Sequence, residues 1–310
     1  MNDRIEKFGN PQRPPRLKHG DVIGIAAPSS PFDSELMARG TAVLKNLGFQ
    51  VIIPPVIYQK DGYHAGSDTQ RAEAVVQLVS DPSIRAVFCV RGGFGAMKIL
   101  PWINFDRIRW ARKIFIGFSD VSALLSTLYG RCGWVTFHGP MVTSLADASD
   151  ETVASLMTAL TSSAPVCMKA HCPVVGIPGR AVGPVTGGNL TTLCHLVGTP
   201  YAPRFRGHIL FLEERGEALY RIDRMLNQMK MAGCMDGVMG VALGRFDGCG
   251  AIKTVVEMLK TVLDDDGIPI VSGFDIGHGD PNLTVPIGMN ATLETDAAML
   301  LFHEPATEGD

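Results

Sequence analysis

The sequence has no excess of basic residues. Its 28 Lys and Arg are balanced by 31 Asp and Glu, which gives a formal net charge of -3 at pH 7 with histidine neutral. A surface that neutralises several phosphates needs a cluster of Lys and Arg, and this charge balance implies none. We therefore expect no nucleic acid as a partner, and a small molecule is the expected ligand.

The chain also has no apolar run of membrane-spanning length, which is about 20 residues. Residues 1–15 are polar and rich in charge and proline, unlike the apolar core of a signal peptide. These two absences predict a cytoplasmic protein with no membrane partner.

Paired cysteine motifs are absent as well. The seven cysteines are an odd number, and none of them forms a C-x-x-C pair. Reduced, mostly structural thiols fit this pattern best.

The residues that are present indicate a folded protein, since 46% of them are hydrophobic. Over the first half of the chain, short apolar runs alternate with segments of helical periodicity, which predicts a parallel α/β sheet. From about Pro165 this alternation gives way to short β-rich segments punctuated by glycine. We therefore predict an N-terminal α/β domain over residues 1–165, a linker over residues 166–182 and a C-terminal β-rich domain over residues 183–310.

A serine lies at the junction of a strand and a helix in the first of these domains. Residues 114–116 (Ile-Phe-Ile) are typical of a buried parallel strand, and the apolar residues after Asp120 recur at helical spacing. Ser119 is therefore expected on the turn between them, where the positive end of the helix faces any developing anion. We expect Gly117 to allow the sharp turn and the Asp120 carboxylate to cap the helix. The turn suits a nucleophile, although these residue types also occur at such junctions for capping alone.

A glycine-rich turn follows the buried strand at residues 86–90. In Arg91-Gly-Gly-Phe-Gly, the residues Gly92, Gly93 and Gly95 let backbone N–H groups approach an anion closely. That anion could be a phosphate or the oxyanion of an acyl-transfer reaction. A dinucleotide site is not supported, because Lys98 stands where the third glycine of G-x-G-x-x-G is required. Close packing of the turn is the structural alternative.

Two further motifs are candidates for the wall of a cleft. His138 ends an apolar strand, and we interpret it as a hydrogen-bonded wall residue rather than as a catalytic base. Asn189 follows Gly187 and Gly188 at the start of a helix. This second glycine turn could line the cleft or merely begin the helix.

The second half of the chain supplies a carboxylate and an imidazole. Glu213 directly follows an apolar strand, where a carboxylate beside buried surface usually needs a partner. Glu214 and Glu217 are interpreted as solvated loop charges, and a metal site formed by the three carboxylates is disfavoured because no histidine or aspartate is spaced to complete it. His278 lies between two glycines in a loop, which allows its imidazole unusual exposure.

Together these residues supply a nucleophile, a base, an orienting carboxylate and an anion hole, which are the parts needed for acyl transfer. The motifs occur in the order R-G-G-x-G, G-x-S-D, H-G-P, G-G-N-L, L-E and G-H followed by P-I-G, and they extend from Lys18 to Gly288. This set strongly resembles the LD-carboxypeptidases, a family of cytoplasmic serine peptidases that includes muramoyl-tetrapeptide carboxypeptidase.

The resemblance implies roles for individual residues. Ser119 would be the nucleophile, His278 the general base and acid, and Glu213 the residue that orients His278. The oxyanion hole would be formed by the backbone N–H of Asp120 and by one from the turn at Gly92 and Gly93. No metal or cofactor is implied.

The resemblance also implies the architecture and the substrate. We expect a flavodoxin- or Rossmann-like N-terminal domain, a swivelling β/β/α-like C-terminal domain, a site in the groove between them and a homodimer. The expected reaction removes a terminal D-alanine from muropeptide tetrapeptides during cell-wall recycling. A free carboxylate must then be recognised by a cation, for which Arg91 and Arg245 are candidates, with His138 and Asn189 as further substrate contacts.

Three alternatives remain at this point. Relatives within the family hydrolyse microcin C-like peptide-nucleotides, and the resemblance implies that they are somewhat longer, with extra aromatic contacts for the nucleobase. Residues 176–183, between the domain boundary and the G-G-N-L turn, are short and contain no tryptophan, which favours the cell-wall substrate. A protein of another class would bind phosphate or a nucleotide without catalysis. A metal-dependent hydrolase could use Glu213 and His278.

Overall fold

A computed structural model of the protein describes residues 11–264 and 267–309. Of the polar segment predicted at residues 1–15, residues 1–10 lie outside this part, as does Asp310 at the end of the predicted C-terminal domain. Within the described residues, no helix is both long and apolar enough to cross a membrane.

The strands of the described residues are numbered in chain order. They are β1 (Val22–Ala26), β2 (Gln50–Ile52), β3 (Ile84–Cys89), β4 (Ile114–Gly117), β5 (Thr136–His138), β6 (Cys167–Lys169), β7 (Val175–Ile177), β8 (Arg180–Asn189), β9 (Ile209–Arg215), β10 (Gly240–Asp247), β11 (Ile270–Ser272), β12 (Val285–Ile287), β13 (Asn290–Glu294) and β14 (Met299–Phe302).

The α-helices of the same residues connect these strands. They are α1 (Ser34–Asn46), α2 (Asp68–Ser80), α3 (Ala96–Ile99), α4 (Phe105–Ile108), α5 (Ser122–Cys132), α6 (Val142–Leu145), α7 (Asp150–Thr161), α8 (Leu190–His195), α9 (Leu219–Met231) and α10 (Ile252–Leu263).

Capping residues explain where several helices begin. The side chain of Ser67 accepts a hydrogen bond from the Gln70 N–H, and the Gln70 side chain accepts from the Ser67 N–H, which forms a capping box at the start of α2. Ser149 caps α7 by accepting from the Thr152 N–H. The start of α7 contacts the loop that carries His278.

The first sheet has the spatial order β12-β5-β4-β3-β1-β2. Strands β1 to β5 all pair in parallel, which confirms the predicted parallel α/β arrangement. The carboxyl ends of these strands therefore meet at one edge of the sheet. Ser119 follows β4 at this edge, and the turn at Gly92 and Gly93 follows β3.

The second sheet has the spatial order β6-β14-β13-β8-β9-β10-β11-β7. Its centre is parallel, from β8 through β9 and β10 to β11, and its flanking strands are antiparallel. The second half of the chain is therefore rich in sheet, as predicted, and α8, α9 and α10 belong to it. One apolar cluster extends from the first sheet into the second, and another lies around α9 and α10.

The strands do not follow the predicted boundaries throughout. Residues 166–182, expected as a linker, contain β6 and β7, which form the two edges of the second sheet. The run at β12, expected in the C-terminal domain, instead pairs antiparallel with β5 in the first sheet. All three residues of β12 are buried, and an apolar strand at this position covers a sheet edge that would otherwise be exposed. The loop between β11 and β12 consequently crosses from the second sheet to the first.

Candidate active site

Ser119 lies on a tight turn between β4 and α5, as predicted. It has a φ of +61°, and a short 3-10 turn from Ser119 to Val121 leads into the helix. A positive φ is uncommon for a residue other than glycine, and it marks a backbone that its surroundings hold in place. The strained conformation therefore falls on Ser119 and not on Gly117. Gly117 is instead needed for packing, because a Cβ atom there would lie 2.7 Å from Cγ1 of Val121.

His278 lies within hydrogen-bonding distance of two other predicted site residues, Ser119 and Glu213. The Ser119 Oγ is 3.2 Å from the His278 Nε2. The His278 Nδ1 is 2.7 Å from the Glu213 Oε2, and the His278 backbone N–H also donates to this oxygen over 3.3 Å. This arrangement can pass a proton from a hydroxyl to an imidazole that a carboxylate orients.

The carboxylate of Glu213 is fully buried. Burial by itself raises the pKa of Glu213, but the imidazoles of His138 and His278 outweigh this effect and lower that pKa to about 2. Glu213 is therefore an anion at neutral pH. The approach of the His278 loop requires Gly277, because a Cβ atom there would lie 2.4 Å from the Glu213 Oε2.

His138 is also fully buried, and it faces Glu213 rather than solvent. Its Nε2 lies 3.8 Å from the Glu213 Oε1, and its ring meets those of Phe118 and Phe211 edge to face. Neither ring nitrogen has a hydrogen-bond partner among the described residues. Direct contact of His138 with a substrate is not supported, because the side chain is enclosed, and the expected hydrogen bond of its imidazole stays a prediction.

The glycine turn after β3 passes beside the serine. A Cβ atom on Gly92 would lie 3.1 Å from the Ser119 Cβ and 3.2 Å from its Oγ, so a side chain there would crowd the hydroxyl. The Phe94 N–H donates to the Ser30 Oγ over 3.1 Å and holds the turn in place. The backbone of Gly92 is therefore close enough to Ser119 to be considered for an oxyanion hole, whereas Gly93 packs beside Ser30.

Asp120 does not cap α5, contrary to the sequence-based expectation. Its Oδ2 accepts from the Ser29 Oγ over 2.6 Å and from the Ala96 N–H over 2.8 Å. Burial raises the pKa of Asp120, and these hydrogen bonds oppose the rise. The carboxylate thus connects the Ser119 turn to the segments that follow β1 and β3, which a local sequence pattern does not reveal.

Polar residues that the sequence-based prediction missed hold the loop of His278. The Asn282 Oδ1 accepts from the Gly277 N–H over 2.9 Å. The Asp280 carboxylate accepts from the N–H and Oγ of Ser149 and from the Thr152 Oγ1 at the start of α7. Their signal in the sequence is only that several polar residues surround His278.

Both the oxygen and the nitrogen of the Asn189 side chain form hydrogen bonds within the protein. Its Oδ1 accepts from the Thr192 N–H and caps α8, and its Nδ2 donates to the Glu214 Oε1 over 3.0 Å. The amide therefore has a structural role at the start of α8, and the predicted substrate contact of Asn189 stays a prediction. Glu214 itself is buried and also accepts from the Thr191 N–H, so its interpretation as a solvated loop charge is wrong.

The two arginines considered for carboxylate recognition differ in their partners. Arg91 is exposed and donates to the carbonyl oxygen of Pro31 over 2.7 Å. Arg245 forms an ion pair with Asp275 and also donates to the carbonyl oxygen of Asp280. The charge of Arg245 is therefore already neutralised beside the His278 loop. Arg91 adjoins Gly92 and has its charge exposed.

Two family models match this chain. The model of the LD-carboxypeptidase N-terminal domain matches residues 23–139, and the model of the LD-carboxypeptidase C-terminal domain matches residues 182–293. The chain is also 35% identical over 306 residues to a probable murein peptide carboxypeptidase of Bacillus subtilis, with 96% of each chain covered.

Solved structures share the fold over nearly the whole chain. A structure of MccF in complex with glutamyl sulfamoyl guanosine has a TM-score of 0.88 and 26% identity, and the match covers 96% of this chain and all of that one. A muramoyltetrapeptide carboxypeptidase from Oxalobacter formigenes has a TM-score of 0.79 and 28% identity, with 91% and 97% of the two chains covered.

Proposed function

The chain belongs to the LD-carboxypeptidase family, and on this basis we propose that it is a serine carboxypeptidase. Its substrate is a cytoplasmic muropeptide tetrapeptide, from which it removes the terminal D-alanine during cell-wall recycling. The observation that carries the proposal is the continuous contact from the Ser119 Oγ through His278 to the Glu213 carboxylate.

The first half of the reaction forms an acyl-enzyme. The His278 Nε2 takes the proton from the Ser119 hydroxyl, and the Oγ attacks the carbonyl carbon of the L,D-amide bond. The resulting oxyanion is held by the backbone N–H of Asp120 and by one from the turn at Gly92 and Gly93. One such donor is worth about 3–4 kcal/mol in the transition state. The amide bond then breaks, and D-alanine leaves with the proton from His278.

The second half restores the enzyme. Water loses a proton to His278 and attacks the acyl carbon, and the Ser119 Oγ leaves with that proton. The negative charge of Glu213, with its pKa of about 2, stabilises the imidazolium that forms twice in this cycle. The protons balance without a metal ion among the participants.

Recognition of the free carboxylate is assigned to Arg91. An exopeptidase has to distinguish a chain terminus from an internal peptide bond, and a guanidinium matches a carboxylate in charge and shape. Arg91 is exposed beside the glycine turn, whereas Arg245 is paired with Asp275.

A second substrate class is supported by the similarity to MccF. That protein is known in complex with glutamyl sulfamoyl guanosine. In this chain only Pro178 and Gly179 separate β7 from β8, so this point carries no inserted aromatic loop of the kind expected to hold a nucleobase. The muropeptide is therefore the favoured substrate.

The decisive experiment measures D-alanine release from a muramoyl-tetrapeptide by the wild type and by folded Ser119→Ala, each with and without EDTA. Release by the wild type alone, unaffected by EDTA, is the expected result. Serine-independent binding of a nucleotide without turnover would favour the non-catalytic alternative, and loss of activity with EDTA would favour a metal-dependent hydrolase. If the folded wild type releases no D-alanine, hydrolysis of peptide-nucleotide amides is tested next.

The proposal includes a homodimer as the working assembly. Light scattering coupled to size-exclusion chromatography tests this directly, and a monomer that retains full D-alanine release would contradict it.

A further inference from the structure

One oxygen of the Glu213 carboxylate and two nitrogens beside it are buried without hydrogen-bond partners among the described residues. They are the Glu213 Oε1 and both ring nitrogens of His138, and no described residue donates to or accepts from them. The other oxygen of Glu213 is bound by His278. A buried carboxylate oxygen without a hydrogen-bond donor lowers the stability of the folded protein. His138, whose Nε2 faces this oxygen, is therefore the candidate donor.

The space between Glu213 and His138 does not admit a bridging water molecule. The His138 Nε2 and the Glu213 Oε1 are 3.8 Å apart. A bridging water would hold them about 4.5 Å apart, because its two hydrogen bonds of roughly 2.8 Å meet at a near-tetrahedral angle at the water oxygen. The rings of Phe118 and Phe211 enclose His138 on other sides. A shift of less than about 1 Å would make a direct hydrogen bond between the two side chains.

The position of His138 in the fold connects the two halves of the site. It pairs with Gly117 in β4, two residues before Ser119, and with Val285 in β12, the strand that follows the His278 loop. Glu213, in contrast, lies in β9 of the second sheet. His138 is therefore the side chain through which the sheet that bears the nucleophile meets the carboxylate from the other sheet.

We propose that His138 is a positioning residue, whose neutral imidazole donates its Nε2–H to the Glu213 Oε1. The two oxygens of Glu213 are then each bound by a different histidine, and only His278 reaches Ser119. The hydrogen bond from His138 keeps the carboxylate in one rotamer and, through it, keeps the His278 imidazole directed at the Ser119 Oγ. This inference rests on the proposed function and deepens it.

Two substitutions separate the hydrogen bond from the packing. His138→Phe keeps an aromatic ring between Phe118 and Phe211 but removes the donor, and His138→Gln places an amide N–H near the position of Nε2. We expect His138→Phe to lower kcat for D-alanine release about 10- to 100-fold, the range typical of groups that orient a catalytic side chain, with KM unchanged. His138→Gln is expected to recover most of this loss.

The pH profile distinguishes positioning from simple stability. Without the donor from His138, the Glu213 carboxylate attracts the proton of His278 more strongly, so the acidic limb of kcat/KM moves to higher pH in His138→Phe and returns in His138→Gln. His208→Phe is the control, since it removes a buried contact to the Tyr129 hydroxyl away from Glu213. The His208→Phe substitution should lower thermal stability and leave the pH of the acidic limb of kcat/KM unchanged.

A measurement on the wild type tests the proposal without substrate or substitution. ¹⁵N NMR of histidine-labelled protein should show His138 at neutral pH as the neutral tautomer with the proton on Nε2. A proton on Nδ1 alone would overturn the proposal, as would an unchanged kcat and acidic limb in folded His138→Phe. If the wild type releases no D-alanine, the proposed substrate fails while the tautomer still decides the role of His138.

Discussion

The Ser119 Oγ and the His278 Nε2 lie 3.2 Å apart, although 159 positions separate these residues in the chain. They meet because the chain crosses from β11 in the second sheet to β12 in the first, and His278 lies in the crossing loop. Asp280 and Asn282 bind this loop to α7 through Ser149 and Thr152. The geometry of the site therefore depends on how the two sheets are joined.

The charge of Glu213 predicts how stability depends on pH. The pKa of Glu213 is lowered from 4.5 to about 2 in the folded protein, so the folded state binds this proton more weakly than the unfolded chain does. The resulting stabilisation is fully present above about pH 4.5 and is lost as the pH falls towards 2. Urea unfolding between pH 5 and 2 should show a smaller loss of stability in Glu213→Gln than in the wild type. Equal losses in the two proteins would contradict this prediction.

The contact between Gly92 and Ser119 predicts a catalytic loss without unfolding. In Gly92→Ala, the added Cβ lies about 3.2 Å from the Ser119 Oγ and displaces the attacking hydroxyl or the acyl group. A misplacement of about 1 Å can cost roughly 100-fold, so we expect kcat for D-alanine release to fall by about this factor. Gly130→Ala in α5 is the matched control, because nothing lies within 4 Å of the added Cβ. It should keep full activity and gain about 0.5–1 kcal/mol of stability. An active Gly92→Ala enzyme would argue against an oxyanion role for this turn.

The buried carboxylate of Asp120 predicts a combined effect on stability and turnover. Asp120→Ala leaves the Ser29 hydroxyl and the Ala96 N–H without their acceptor. Each buried group left unpaired costs about 1–3 kcal/mol, so the free energy of unfolding should fall by about 2–6 kcal/mol in urea titrations. Turnover should fall as well, because the glycine turn is no longer held beside Ser119. Asp120→Asn retains one acceptor oxygen and should lose less of both quantities. If Asp120→Asn instead loses more stability and turnover than Asp120→Ala, the negative charge matters more than the hydrogen bonds.

The exposed charge of Arg91 predicts a change in substrate affinity. Under the proposed function, Arg91→Gln would remove a charged hydrogen bond to the terminal carboxylate, worth about 1.5–3 kcal/mol, and should raise KM about 10- to 100-fold with a smaller effect on kcat. For a tetrapeptide with an amidated C-terminus, the KM values of the wild type and of Arg91→Gln should be similar. The matched control is Arg85→Gln, an exposed arginine on β3, for which KM should not change. If KM for the free acid is also unchanged in Arg91→Gln, the carboxylate is bound elsewhere.

Local patterns in the sequence were sufficient to predict the parts of the site. The apolar run of β4 and the helical spacing of α5 place Ser119 on a turn, and the alternation of strands and helices predicts parallel pairing from β1 to β5. These features depend on residues near one another in the chain, so the period of the apolar positions reports them directly. The motif order was equally sufficient for the resemblance to the LD-carboxypeptidases, which the two family models confirm.

Only the tertiary structure decided which groups face one another. β12 joins the first sheet, Asp120 binds Ser29 and Ala96 instead of capping α5, and the His138 Nε2 faces the Glu213 Oε1 over 3.8 Å. Glu214 is buried against Asn189 although it stands in an acidic run. Each of these contacts joins segments that are far apart in the chain, and a buried polar group takes whatever partner the packing of the two sheets brings to it. The sequence alone thus determined the turns that carry the candidate site residues, and the crossing between the sheets determined their partners.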